Sequence, residues 1–133
     1  MSQAPMSFGR RLTLHAVAAS RAADGRVQIA VGEIRNTTHE SASAVSVAVW
    51  TTREPYQGGS LKGVRRGTFD VGRIAGGATC RGLTWTVDVA DTAAHLAVLL
   101  LEGTSEADST KWHLHDYAAL GVPAKGAAAA PAD

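Results

Sequence analysis

The residues able to do chemistry are few in this 133-residue chain, and five histidines head them. His113 and His115 lie two apart in KWHLHDYAAL, with Asp116 beside them. On a strand, that spacing puts both rings on one side. A zinc-type centre takes three or four converging donors, and His-x-His supplies two, leaving His15 or His39 to complete it. The plainer reading is a polar outer face on a terminal strand, so no metal site and no cofactor are expected. Cys80 is the lone cysteine, which excludes an internal disulfide and places a small half-buried residue at a strand start. The glycine-rich run Gly58 to Gly63 does not open a helix, so it lacks the anion-binding logic of a helix N-terminus. The sequence shows no nucleophile elbow, no phosphate-cradling loop and no paired carboxylates. No catalytic residue is assigned and the chain is read as a non-enzyme.

The elements that would position these side chains follow a two-residue period. Residues 1–9 form a flexible lead, 10–120 a folded domain, and 121–133 an Ala/Pro-rich tail expected to be disordered. Within the domain, Leu12, Leu14, Ala16 and Ala18 alternate on one face, Asp24-Gly25 marks a turn, and Val27, Ile29 and Val31 alternate beyond it, predicting a hairpin. Asn36-Thr37-Thr38 fits a glycosylation sequon but reads better as a turn closed by the asparagine side chain. Val45, Val47 and Val49 point one way, and Ser46, Ala48 and Trp50 the other. Pro55 ends that ladder, having no N–H to donate. Phe69 with Val71, then Leu83, Trp85, Val87 and Val89, continue the alternation. The run HLAVLLLE, residues 95–102, suits a central strand covered on both faces. On the final run, Trp112, Leu114 and Asp116 oppose His113, His115 and Tyr117.

About seven strand candidates punctuated by glycine and polar turns predict an all-β chain, a single immunoglobulin-like Greek-key sandwich. Composition agrees with a folded globular domain: 45% apolar and 19% charged. A net charge of +1 gives no general reason to bind nucleic acid, and the Arg65-Arg66 pair is read as solvated. No run approaches the ~20 apolar residues of a spanning helix, so no membrane insertion is expected. Arg10-Arg11 before LTLHAVAA does not make a standard secretory signal.

The stretch Trp50 to Gly67 carries a resemblance. Trp50, Pro55, Tyr56, Gly58, Gly59, Ser60 and Gly63, then Gly72 and Ile74 ahead of Gly76-Gly77, resemble bacterial immunoglobulin-like modules of the CARDB and FxLYD type. Val31 to Asn36 and Leu99 to Glu102 look like two of their strands, and residues 91–95 depart from their pattern. The resemblance implies a β-sandwich appended to secreted or surface proteins, although the sequence itself permits a cytoplasmic location and leaves the compartment unknown. It implies fold far more than function.

The functional expectation is a binding or structural module that engages a protein or glycan partner, or other copies of itself. Its contact residues are expected at Trp50, Tyr56, Gly58, Gly59 and Ser60, with Tyr56 either presented at the loop tip or packed back onto Trp50. Two alternatives stand beside it: a small metal-dependent or hydrolytic enzyme using the histidine strands, and a structural subunit of a larger particle or secretion apparatus. The same stretch is expected to carry the chain from one sheet to the other.

Overall fold

The computed structural model describes residues 11–89, 93–106 and 109–123. The lead at 1–9, most of the tail and residues 91 and 92 of the departing segment lie outside them. Seven strands form among the described residues: β1 (Leu12–Arg21), β2 (Val27–Asn36), β3 (Ala42–Thr52), β4 (Gly63–Ile74), β5 (Thr79–Val87), β6 (His95–Glu106) and β7 (Ser109–Gly121). They make two antiparallel sheets, one ordered β1-β2-β5 and the other β4-β3-β6-β7. No helix occurs among the described residues. The chain is therefore the expected all-β sandwich. Gly121 belongs to β7, and the Val122 N–H donates to the Ala94 carbonyl at 2.9 Å.

Between the sheets lie Val27, Ile29, Val31, Ile34, Val45, Val47, Val49, Leu96, Val98 and Leu100, all fully buried. These are the inward positions of period-two runs, mostly β-branched residues that suit a pleated surface. Phe69 of β4 stacks on Trp85 of β5, with centroids 5.1 Å apart and planes 13° apart, where the two sheets meet at one side. The β1–β2 hairpin turns where expected, with the Arg26 N–H donating to Asp24 Oδ1 at 3.0 Å.

One row of residues overturns the simple alternation. Leu12 and Leu14 pack inward, but so do Val17 and Ala19, while Ala16 and Ala18 are exposed. Ala16 has φ 57°, a left-handed conformation that rotates the pleat by one residue. Its neighbours across the sheet do the same without any slip of register. On β2 the inward set changes from Val31 to Ile34, around Gly32; on β5 it changes from Cys80 to Leu83, around Gly82 with φ 69°. A Cβ on Gly32 would stand 2.7 Å from the Ala16 Cβ, so the close approach of this row requires glycine there. On the outer face beside it, Glu33 pairs with Arg35 at 2.6 Å and Arg81 at 3.1 Å, and both guanidiniums hold its carboxyl below the usual range.

The stretch from Trp50 to Gly67 does not cross between sheets. Thr52 pairs with Gly63, so β3 and β4 are hairpin neighbours in one sheet, joined by the ten residues 53–62. Such hairpins usually need two to five. The extra length folds onto the outer face of its own sheet. There Ala48, Ala97, Leu99, Leu114 and Tyr56 form a second buried cluster, with Trp50, Leu61, Leu101 and Tyr117 packed around it. β6 is thus buried on both faces, as its unbroken apolar run predicts.

Candidate functional site

The connection 53–62 is held by one ring. Tyr56 is 7% exposed, its hydroxyl donates to the Gly59 carbonyl at 2.8 Å, and its ring meets Tyr117 edge-on at 4.8 Å and 68°. Burial, with Tyr117 adding, pushes the phenol's pKa up. Gly58, at φ 93°, lies flat on the Tyr117 ring, where a Cβ would sit 3.1 Å from Cε2. Trp50 joins the same cluster from β3. Tyr56 is therefore packed on the sheet rather than presented at the tip. Gly59 and Ser60 are exposed, as are Arg53, Glu54, Pro55, Gln57 and Lys62. Together with Thr52 they line an open depression of about 670 Å³. A second depression, on the flank toward residues 93 and 94, is lined by Arg53, Val64 and Arg66.

The structure thus brings Trp50, Tyr56 and Gly58 together as the loop's anchor and leaves Gly59 and Ser60 on its rim. Arg53 and Lys62 were not anticipated. Their signal in the sequence was the density of cations around Arg65-Arg66, which a reading of isolated pairs passes over.

The histidines build something different at the opposite end. His115 is 5% exposed and its Nε2 lies 3.0 Å from Glu102 Oε1. Arg11 donates from its guanidinium to the other Glu102 oxygen at 2.9 Å and to the Ser41 carbonyl at 3.2 Å. Burial lowers the His115 pKa; Glu102 opposes that shift, while Arg11 and His113 add to it. The expected polar outer strand is corrected by a bulge. Leu100 pairs with Asp116 but Leu101 with Leu114, so His115 is the extra residue. Beyond it the phase changes, sending Tyr117 outward to the Tyr56 cluster and Asp116 toward β1, where its Oδ2 accepts the Leu14 N–H at 2.8 Å. His113 lies 3.1 Å from Thr104 Oγ1 and His15 2.8 Å from Thr13 Oγ1. Among the described residues no three His, Cys, Asp or Glu side chains gather as a metal site.

Glu102 is the member the sequence reading missed. It continues the inward parity of Leu96, Val98 and Leu100, and a carboxylate at such a position signals a buried partner. The sequon resolves as a turn: Asn36 is 2% exposed, its Nδ2 donates to the Glu40 and Ile74 carbonyls, and its Oδ1 accepts from Thr38. Cys80 is half-buried against the core, as expected.

No protein-family model matches the sequence, and no curated protein matches it significantly. Among solved structures, the chain is similar to part of DesR, a β-glucosidase from Streptomyces venezuelae in complex with D-glucose, at 17% identity and a TM-score of 0.45, covering 84% of this chain and 15% of that one. It is similar to part of the GH3 β-glucosidase of Bifidobacterium adolescentis at 15% identity and a TM-score of 0.44, covering 84% and 17%. The chain thus spans a small fraction of those enzymes. Both likenesses are too weak to carry an activity or a ligand to it.

Proposed function

We propose that this chain is a non-enzymatic recognition module, an immunoglobulin-like sandwich that binds a protein partner through the loop between β3 and β4. The observation that carries the reading is the way that loop is built. Ten residues are spent where two to five would close the hairpin. The surplus is pinned by Tyr56 and Leu61 on the sheet's outer face, while polar and charged side chains stand exposed above. A loop held in one conformation before binding loses little entropy when it engages a partner. The strand order supports the immunoglobulin-like assignment. The three strands β1, β2 and β5 face β3, β6 and β7 as in that fold, with β4 added beside β3. The resemblance to CARDB and FxLYD modules is part of the same proposal.

The test is a screen of peptide and glycan arrays with the native protein and a loop-surface variant combining Arg53→Ala, Gln57→Ala, Ser60→Ala and Lys62→Ala. Tyr56 and Leu61 are retained, so the variant is expected to melt with the native chain. Ligands captured by the native protein and lost by the variant support the reading; ligands retained by the variant overturn it. Turnover of chromogenic ester or glycoside substrates that Glu102→Gln abolishes would favour an enzyme instead.

A further inference from the structure

The loop end carries an imbalance of charge. Between residues 53 and 66 stand Arg53, Lys62, Arg65 and Arg66 against Glu54 alone. Arg53, Lys62 and Arg65 are exposed and make no ion pair among the described residues, while Arg66 Nε donates to Thr51 Oγ1 at 3.1 Å. Three other exposed arginines are neutralised, Arg26 by Asp88 at 3.0 Å and Arg35 and Arg81 by Glu33, while Arg73 on the far part of β4 donates to the Ser41 hydroxyl at 2.7 Å. In the middle of the unpaired group lies Val64, 53% exposed, an apolar side chain left in solvent. All of this stands at the start of β4, the terminal strand of its sheet.

We infer that this end binds an acidic peptide segment, laid in extended form along the outer edge of β4 at Gly63 to Arg65, up to the bulge that leaves Arg66 without a partner on β3. The inference rests on the loop-end reading above and gives its partner a chemistry. A terminal strand offers unpaired N–H and C=O groups that an added strand can satisfy. Alternate side chains of such a strand reach the two faces of the sheet. Arg65 stands opposite Trp50 on the outer face, and Val64 stands opposite Thr51. A segment alternating carboxylate and apolar residues matches that arrangement, with Arg53, Lys62 and Arg66 steering its approach. A single-stranded nucleic acid is held largely by stacking on exposed aromatic rings, and the ring of this loop is turned inward.

The experiment titrates a fluorescent peptide of alternating glutamate and valine into the protein, read by anisotropy at about 50 and about 300 mM salt. A lysine–valine peptide and a sulfated oligosaccharide are run beside it. The native chain is expected to bind the acidic peptide alone, more weakly at high salt. The variant Arg65→Ser, at an exposed position, is expected to keep the native melting temperature and to bind about tenfold more weakly, the loss of one charged contact. No binding of the acidic peptide, equal binding by the variant, or capture of the oligosaccharide in its place would overturn the inference. Neutral peptides that bind the native chain and are lost by the loop-surface variant would sink the acidic partner while leaving the loop-end reading intact.

Discussion

Single side chains settle how each end of the sandwich responds to change. Tyr56 separates anchoring from contact. Tyr56→Phe deletes the bond to the Gly59 carbonyl, which water can replace, and should cost about 1 kcal/mol. Tyr56→Ala also leaves a void against Tyr117 and should cost about 3 kcal/mol, both read from urea midpoints. A Tyr56→Ala variant with native stability would mean that the ring does not anchor the loop. At the opposite end, Glu102 receives Arg11 and His115 at once. Glu102→Ala strands two nitrogen groups in a half-dry setting and should cost about 2–3 kcal/mol. His115 gives the pH dependence. Its folded pKa lies below the ordinary 6.5 because burial disfavours the charged ring. The unfolded chain therefore takes up a proton that the folded chain refuses. Stability is full above 6.5 and falls as the pH drops from there to the folded value, by at most about 1.4 kcal/mol per unit. His115→Gln keeps a donor for Glu102 and removes the titration, so its stability between pH 7.5 and 5.5 should fall less than the native chain's. Parallel slopes would show that His115 is not the responsible group.

Among the elements, the row Ala16, Gly32 and Gly82 gives a test that no isolated residue could. Ala16 sits in a conformation that costs a side-chain-bearing residue about 1–2 kcal/mol. Ala16→Gly should therefore stabilise by about 0.5 kcal/mol, after the extra freedom glycine gains in the unfolded chain. Gly32→Ala should destabilise by more than about 1 kcal/mol, because its Cβ would meet the Ala16 Cβ at 2.7 Å. Combined with Ala16→Gly, part of that loss should return, and a thermal-melt cycle measures the coupling. Strict additivity would mean that the two Cβ positions do not compete. The alternation in β2, β3 and β5 was legible because each run holds its phase for five residues or more. The phase change that β1, β2 and β5 share around Ala16, Gly32 and Gly82 was not. Leu12, Leu14, Ala16 and Ala18 look like a continuous face, and alanine is tolerated both inside and outside. The bulge at His115 escaped for a related reason: it depends on how β7 fits β6, and nothing local marks it.

At the level of the whole molecule, β3 and β6 are sandwiched between the shared core and the outer cluster. Their amides should exchange most slowly, and those of β4's outer edge and residues 53–62 fastest. A hydrogen-exchange map in which β3 exchanges as fast as β4 would contradict this layering. The sequence by itself determined the number of strands, most of their faces and the buried character of β6, because period-two patterning is a local property that one buried face imposes on every strand. It also determined that no disulfide forms within these 133 residues, since Cys80 is the lone cysteine. The rest belonged to tertiary structure. Arg11, Glu102 and His115 meet across 91 residues of chain between the first two, and no spacing rule reports a contact of that range. Tyr56 could be placed only once β7 had brought Tyr117 under it. Whether a loop aromatic faces solvent depends on what apolar surface its own sheet leaves uncovered, and that surface exists only after the strands have paired.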